Sequence, residues 1–223
     1  MSIKIYSDLG SGSYRRVAAA AKIMGIDYER VNVDLFKGES HTPEFLKNLN
    51  PHGLTPVLKE GDTVIWESAA INLYLAEKVN SRLVGKTEEE RTEVLQWMFW
   101  SGEQWRIFFT MLFDERVAAV AMGKPQNEAI VEFANKKIRA AATVLDAHLA
   151  DRQFMVGDEL TFADIDIAAP FSQINRSKPP LNEFPNIVAW HQRILDTVPA
   201  WVETKRDLDE RMDTFLDSIG VKL

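Results

Sequence analysis

Over the first 80 residues, the apolar positions switch between the two-residue period of strands and the longer period of helices. IKIYS (3–7) and YERVNVDL (28–35) alternate as short strands, and the segment between them has helical periodicity. Gly25 follows that helix at the position where a left-handed C-cap glycine is typical. The buried face of the helix is marked by four residues at positions i, i+3, i+4 and i+7: Val17, Ala20, Ala21 and Met24.

The next segments complete a small sheet covered by helices. TPEFLKNLN begins as a helix, because Thr42 suits the N-cap and Pro43 the first helical position. PVLKE and TVIWE are strands joined by a Gly-Asp turn, and ESAAINLYLAEKV is a helix. The helix between the first two strands makes them parallel, whereas the short turn makes the last two antiparallel. The predicted order is β-α-β-α-β-β-α in a mixed sheet.

After residue 80 the strand signals stop. NSRLVGKT is polar, carries a glycine and is typical of a linker. Thr87, followed by three glutamates, begins a long helix with a favourable dipole. Further helices are predicted near 126–150, 162–176 and 185–197. We therefore expect a first domain over 1–80, a linker over 81–87 and an all-helical domain over 88–223.

Charge and composition narrow the possible functions. The formal net charge of −7 argues against a nucleic-acid partner held by phosphate contacts. The first domain is almost balanced, with nine Lys and Arg against ten Asp and Glu, which is compatible with an anionic small molecule. The chain has no cysteine, which excludes disulfides, thiolate metal sites and a cysteine nucleophile. The four histidines are scattered, so no metal site is expected.

No stretch approaches the ~20 apolar residues of a membrane span. The beginning of the sequence, MSIKIYSDLG, lacks the charged-then-apolar order of a signal peptide. We therefore expect a cytoplasmic protein without a membrane partner.

Four stretches resemble the cytosolic glutathione transferases and occur in that family's order. They are VDLFKGESHTPEFL (33–46), NPHGLTPVL (50–58), WESAAINLYLAEK (66–78) and LTFADIDIA (160–168). The chain is similar to serine-type members of the theta and phi kind over nearly its whole length. The resemblance implies a thioredoxin-like N-terminal domain with a mixed four-stranded sheet and an all-helical C-terminal domain. It also implies a homodimer and glutathione as co-substrate, without a metal.

The thiolate of glutathione is the nucleophile in conjugation, but a free thiol with a pKa of ~8.5 is mostly protonated at neutral pH. A hydroxyl at a helix N-terminus that donates to the sulfur favours the thiolate. The resemblance places this hydroxyl six residues before Val17, at Ser11. Ser13 is the competing donor, and Ser11 also suits a purely structural N-cap. Tyr6 is a further alternative, although it fits a core or wall aromatic better.

The resemblance implies contacts with the rest of glutathione. Thr55 precedes a cis Pro56 and offers its backbone to the cysteinyl part. Leu54 stands where relatives often have glutamine or lysine, so their side-chain contact is not carried over. Ser68 suits the N-cap of a helix, where its hydroxyl and the helix N–H groups would bind the γ-glutamyl carboxylate. Glu67 would bind the ammonium group.

Two histidines and two arginines have alternative interpretations. His41 corresponds to a position that binds the glycine carboxylate in similar members, and the alternative is an exposed loop histidine. His52 fits a structural or exposed position better than a ligand contact. Arg15 and Arg16 follow the serines, and for each we expect a solvated or inter-domain ion pair rather than a ligand contact.

LQWMFWSGEQWRIFFTMLF (95–113) is apolar almost all around a helix, which predicts that it faces both the core and a second apolar surface. Its residues Leu95, Met98 and Phe99 fit the core. The resemblance places the second substrate between this helix and the first domain, where aromatic walls favour flat, apolar electrophiles. The candidate wall residues, each with core or dimer-interface packing as its alternative, are Trp105, Phe108, Phe109 and Met111.

LTFADIDIA contains two aspartates, but its pattern is that of a capping box. Thr161 caps a helix, and Asp164 returns the hydrogen bond from the third helical position. We therefore assign no catalytic role to Asp164 or Asp166.

These observations predict a glutathione transferase that activates the thiolate by a serine hydroxyl and acts on small apolar electrophiles or peroxides. A glutathione-binding carrier of apolar ligands without turnover is the first alternative. An interaction protein that retains the fold is the second. Only the serine loop separates the enzyme from the carrier, because the other binding elements suit both.

Overall fold

The N-terminal part contains a four-stranded sheet in the order β2-β1-β3-β4. The computed structural model describes residues 2–222. Strand β1 pairs parallel with β2 and antiparallel with β3, which pairs antiparallel with β4, so both predicted pairings are confirmed. The strands are β1 (Lys4–Ser7), β2 (Glu29–Asn32), β3 (Val57–Glu60) and β4 (Thr63–Trp66).

Three helices cover this sheet: α1 (Gly12–Met24), α2 (Pro43–Asn48) and α3 (Ser68–Val79). Their local signals are those read from the sequence, since Gly25 ends α1 with a φ of 66° and the Thr42 hydroxyl accepts from Phe45 N. Helices α1 and α3 pack on the face that carries Ile5 and Leu58. Helix α2 packs on the opposite face through Phe45.

One end of the sheet gathers all the segments predicted to bind glutathione. The strand registers place Tyr6, Val31, Val57 and Trp66 in one row across the four strands. The serine loop leaves this row after β1, and the loop towards α2 leaves it after β2. Thr55 and Pro56 enter the row before β3, and Glu67 follows it after β4. The topology therefore brings four separate stretches of sequence to one edge.

The second part is helical, and Thr87 caps its first helix as predicted. The predicted helix over 162–176 is divided by a 3-10 segment at Ala169–Gln173. A last long helix, which the sequence pattern did not indicate, follows residue 198. Within residues 2–222, no helix is long and apolar enough to cross a membrane. The helices are α4 (Glu88–Trp100), α5 (Ile107–Phe113), α6 (Glu128–His148), α7 (Phe162–Ala168), α8 (Ile174–Ser177), α9 (Pro185–Thr197) and α10 (Pro199–Ser218). Two π-helical segments, Ser101–Arg106 and Asp114–Ala119, flank α5.

The segment between the two parts is ordered and partly buried. Residues Arg82–Val84 form a 3-10 turn that Ser81 caps, and Leu83 joins the helical core. Gly85 follows with a φ of 99°, and a Cβ added there would lie 2.7 Å from Arg91 N. The connection at 81–87 is therefore fixed against α4.

Helix α1 belongs to the cores of both parts. Val17 and Ala21 pack in the sheet core, whereas Ala19 and Ala20 pack in the helical core.

Two buried arginines of α1 also bind the helical part. The Arg16 guanidinium forms an ion pair with Asp166 of α7, which confirms the expected inter-domain pair. For Arg15 the expected ion pair is wrong among residues 2–222, because its partners are neutral. It donates to Ser172 Oγ at 3.0 Å and to the Trp201 carbonyl at 2.6 Å, and its guanidinium lies 3.7 Å from the centre of the Trp201 ring.

Candidate functional site

The Ser11 side chain is both a helix cap and an available donor. Ser11 is the N-cap of α1, with an extended backbone, and its Oγ accepts from Tyr14 N at 3.2 Å. A hydroxyl that accepts one hydrogen bond still has its own proton to donate. The structural and the catalytic interpretations of this residue are therefore compatible.

The serine loop (residues 8–11) is held on several sides. The buried Asp8 carboxylate accepts from Gly10 N at 2.8 Å, and the Asp8 carbonyl accepts from Ser11 N at 3.1 Å. Gln173 donates to the Gly10 carbonyl at 3.3 Å. A Cβ added at Gly12 would lie 3.3 Å from Ser172 Cβ, so the chain approaches the helical part closely here. The loop has little freedom to move relative to α1.

The two alternative donors lie in different environments. Ser13 is the second residue of α1 and is partly exposed, so it stays an alternative to Ser11. Tyr6 packs against the apolar cluster that includes Phe45 and Val57 beneath α2. This packing agrees with its interpretation as a core aromatic.

The turn before β3 presents Thr55 at the end of the sheet. The Thr55–Pro56 bond is cis, as the resemblance implies. The Thr55 hydroxyl is buried and has no hydrogen-bond partner within residues 2–222. The Leu54 side chain is 58% exposed, and its carbonyl accepts from Asn50 Nδ2 at 3.0 Å.

His41 lies against this same turn. Its ring is so close to Gly53 that a Cβ added there would lie 3.0 Å from His41 Nε2. Its Nδ1 is 3.1 Å from Ser40 Oγ, and the residue is otherwise exposed. His52, in contrast, packs edge-on against Trp66 at a ring distance of 5.9 Å. The structure thus places His41 next to the Thr55 turn and His52 against β4.

The N-cap of α3 is Glu67, not Ser68 as the sequence predicted. Glu67 has a φ of 71°, which is rare for a non-glycine residue, and among residues 2–222 no side chain caps the helix. Ser68 is the first helical residue and is 2% exposed. The first N–H groups of a helix have no intrahelical partner, and together with the helix dipole they favour an anion. The start of α3 therefore suits an anionic group of a ligand.

For two of the four candidate wall residues the structure favours the alternative of core packing. Trp105 and Phe109 are buried in the helical core, where Trp105 Nε1 donates to the Ile167 carbonyl at 3.0 Å. Phe108 and Met111 are only partly buried, but Phe108 faces Phe133 of α6 at a ring distance of 6.2 Å.

The same helix also differs from expectation near its start. Met98 is buried, but Leu95 and Phe99, which were expected in the core, are exposed, Phe99 to 70%. Met212 of α10 does adjoin the serine loop, since its sulfur would lie 3.0 Å from a Cβ added at Gly10. Met212 belongs to a small buried cluster with Val117 and Leu208, against which Phe113 packs.

Asp8 and Arg211, which no sequence pattern indicates, meet across the two parts. Arg211 Nε and a terminal nitrogen donate to the two Asp8 oxygens at 3.0 and 2.9 Å. A single aspartate in a turn and one arginine in a charged helix carry no distinctive sequence pattern. Only the fold brings them together.

The aspartates of LTFADIDIA are structural, as predicted. Thr161 and Asp164 form the capping box, and Asp164 also accepts from Met155 N at 2.8 Å and from Trp190 Nε1 at 2.9 Å. Burial raises the pKa of Asp164, which these hydrogen bonds oppose. Within residues 2–222, no three His, Asp or Glu side chains are grouped so as to hold a metal ion.

Comparisons with known proteins give a consistent result. The family model of the glutathione S-transferase N-terminal domain matches residues 1–77, and that of the C-terminal domain matches 108–197. The chain is 37% identical to glutathione S-transferase F10 of Arabidopsis thaliana over 168 residues, 74% of this chain and 77% of that protein. It is 30% identical to glutathione S-transferase F9 of the same plant over 92% of this chain and 96% of that protein.

Among solved structures, glutathione transferase F7 from Populus trichocarpa is similar, with a TM-score of 0.84 and 26% identity. That likeness covers 92% of this chain and 99% of the poplar chain. The sheet, the helical part and the matched domains together show that the chain belongs to the glutathione S-transferase family of enzymes.

Proposed function

We propose that this protein binds glutathione at the gathered end of its sheet and that the Ser11 hydroxyl stabilises the glutathione thiolate. The observation that carries the proposal is the geometry of Ser11. Its oxygen caps α1 through Tyr14 N while its proton is left for a ligand at the positive end of the helix. No base is needed, because the hydrogen bond and the dipole favour the anion directly.

The remaining elements suit the other groups of glutathione. The uncapped N-terminus of α3, with Ser68, suits the γ-glutamyl carboxylate, and the exposed Glu67 suits its ammonium group. Thr55 would pair its backbone with the cysteinyl unit, and Ser13 and His41 would bind at the two sides of the site. Leu54 is placed beside this turn and offers an apolar contact only.

The thiolate would attack a small apolar electrophile or a peroxide. Of the candidate wall residues, Phe108 and Met111 are only partly buried, so they keep apolar surface that an electrophile could contact. Both lie on α5, where Phe108 also faces Phe133 of α6. We place the electrophile against these two side chains.

We also propose a cytoplasmic homodimer that takes part in detoxification. The support for the dimer is the exposed apolar side chains of Leu95 and Phe99 on α4, together with Trp66 on the edge strand β4. The cysteine-free composition agrees with a reducing compartment.

The experiment is an ultraviolet titration that follows thiolate absorbance of bound glutathione against pH. We expect the bound thiol to ionise about one to two pH units below free glutathione, which is ~1.4 kcal/mol per unit in favour of the anion. Ser11→Ala should return the thiol pKa towards its free value, whereas Tyr6→Phe should leave the shift intact.

Each other outcome contradicts a defined part of the proposal. If Ser13→Ala removes the shift and Ser11→Ala does not, the donor is Ser13. If glutathione binds the wild-type protein without any shift in thiol pKa, the protein is a carrier. If it does not bind, the interaction-protein alternative replaces the enzyme.

A further inference from the structure

Helix α10 reaches over the N-terminal part and contacts two loops of the proposed glutathione site. One is the serine loop (residues 8–11), and the other is the loop over 34–41, which ends at His41. Arg211 lies between them and donates to a carboxylate in each. No pattern in the sequence had singled out this residue.

The contact with the serine loop is a two-pronged ion pair with a buried partner. Arg211 meets both oxygens of Asp8 at 3.0 and 2.9 Å, and the Asp8 side chain is only 1% exposed. The same carboxylate accepts from Gly10 N at 2.8 Å and from Leu35 N at 3.3 Å. Charge-assisted bonds of this fork geometry are strong and directional. Asp8 thus joins the two loops, and Arg211 neutralises the charge at the junction.

The contact with the 34–41 loop is built from a second carboxylate and a ring stack. Arg211 donates to Asp34 Oδ1 at 3.0 Å, and that oxygen also accepts from the N–H groups of Phe36 and Lys37. The Phe36 ring stacks on Phe215 of α10 with centroids 3.6 Å apart and planes 3° from parallel. The Arg211 guanidinium lies 4.7 Å from the centre of the Phe36 ring. The start of this loop is therefore fixed to α10.

We propose that Arg211 is a positioning residue for glutathione, which acts through Asp8 on the place of Ser11 and through Asp34 on the place of His41. The inference rests on the proposed function. The hydrogen bonds of Arg211 go to Asp8 and Asp34 and not to Ser11 or His41, so its effect is transmitted through the two carboxylates. The consequence is that the helical part sets the geometry of a ligand site built almost wholly from the other part.

The test uses two variants and one matched control in the full chain. Arg211→Gln removes both ion pairs, and Asp34→Asn weakens only the second while it keeps an acceptor for Phe36 N and Lys37 N. Glu203→Gln removes the exposed pair with Lys22, which also connects α10 to the N-terminal part. The dissociation constant of glutathione is measured by calorimetry, and the thiol pKa by the ultraviolet titration. Circular dichroism reports folding.

For Arg211→Gln we expect the dissociation constant of glutathione to rise at least about fivefold, which corresponds to ~1 kcal/mol of binding free energy. We also expect the pKa of the bound thiol to move towards its value in free glutathione. For Asp34→Asn we expect a smaller rise with the thiol pKa unchanged, because Asp8 still holds the serine loop. Glu203→Gln should change neither quantity. A general loosening of the fold would change both quantities in both variants, and would not leave the thiol pKa unchanged in Asp34→Asn alone.

The proposal is overturned if folded Arg211→Gln binds glutathione as the wild type does with the same thiol pKa. If Arg211→Gln does not fold, Asp34→Asn decides, and an unchanged dissociation constant overturns the proposal. A wild-type protein that binds no glutathione would overturn the proposed function itself. That outcome is distinct from a wild type that binds and variants that do not differ from it.

Discussion

The buried ion pair between Arg16 and Asp166 gives the most demanding prediction about stability. The side chains are 1% and 3% exposed, and they connect α1 to α7 across the two parts. Asp166→Asn keeps the shape of the side chain but leaves the Arg16 charge without a counter-charge. The backbone carbonyl of residue 166, which accepts from Ser101 Oγ, is not affected by the change.

The expected cost follows from burial and from a second cation nearby. Removal of one partner of a buried pair costs about 3–5 kcal/mol, because the remaining charge is desolvated without compensation. Arg106 adds to this cost, because Asp166 also stabilises its charge. Burial, and then the charge of Arg16, lower the pKa of Arg106 to about 10, while Asp166 opposes that shift. We therefore expect Asp166→Asn to reduce the free energy of unfolding by at least ~3 kcal/mol.

The assay is urea unfolding followed by circular dichroism near neutral pH at one fixed protein concentration, since dimerisation would make stability depend on concentration. Glu203→Gln is the matched control, because Lys22 and Glu203 also bridge α1 to the helical part but are 49% and 48% exposed. Exposed pairs contribute at most ~1 kcal/mol. The double change Arg16→Met with Asp166→Leu should lie close to the wild type, because a well-packed apolar pair often replaces a buried ion pair without loss.

A cost for Asp166→Asn as small as that of Glu203→Gln would refute the reasoning. It would mean that Arg16 is solvated or neutralised by other groups. A cost that disappears in about 1 M salt would refute it equally, since a buried pair is screened much less than an exposed one.

Two further predictions concern other strained or buried groups. Burial, together with the charges of Arg15 and Lys205, lowers the pKa of His191 to about 4. As the pH falls, the unfolded chain therefore binds a proton at His191 before the folded protein does, so the free energy of unfolding should fall by about 2.5 kcal/mol between neutral pH and about pH 4.5. His191→Gln should flatten this part of the plot of urea midpoint against pH. An equal slope in both proteins would contradict the assignment. Glu67→Gly relieves a positive φ, a conformation that costs a non-glycine residue about 1–3 kcal/mol, so the urea midpoint should stay the same or rise. Calorimetry should show weaker glutathione binding by this variant. Tighter binding would contradict the ammonium contact.

The elements predicted well from the sequence are those set by interactions within a few residues. Thr42, Thr87 and Thr161 each cap a helix through a backbone N–H three positions ahead, and Gly25 takes the left-handed conformation expected of it. The lengths of the connections indicate which strands run parallel and which run antiparallel. These signals are local, so the composition of nearby residues is enough to read them.

The orientation of the long aromatic helix was not predictable in the same way. Apolar residues occur almost all around it, so the pattern does not say which side faces the core. The π-helical segments flanking α5 add to the difficulty, because each inserted residue turns the following face by about 100°. Trp105 and Phe109 thus lie in the core while Phe99 faces outward.

Helix α10 escaped prediction because its apolar stripe is narrow and its other positions are mostly charged. Only Trp201, Leu208, Met212 and Leu216 mark the buried side over its five turns, with Thr204 between them. The N-cap of α3 was expected at Ser68 rather than at Glu67 for a different reason. Serine is the commoner N-cap, and nothing in the sequence signals a positive φ one residue earlier.

The dual packing of α1 has a consequence for cooperativity. A helix that buries Val17 and Ala21 in one core and Ala19 and Ala20 in the other cannot be released from either without exposing both. The two parts therefore form one folding unit, in which the least costly opening of α1 approaches complete unfolding of the chain. We therefore expect slow amide exchange in α1, the helix that carries the proposed thiol-activating end, and mutations there to act on global foldability as well.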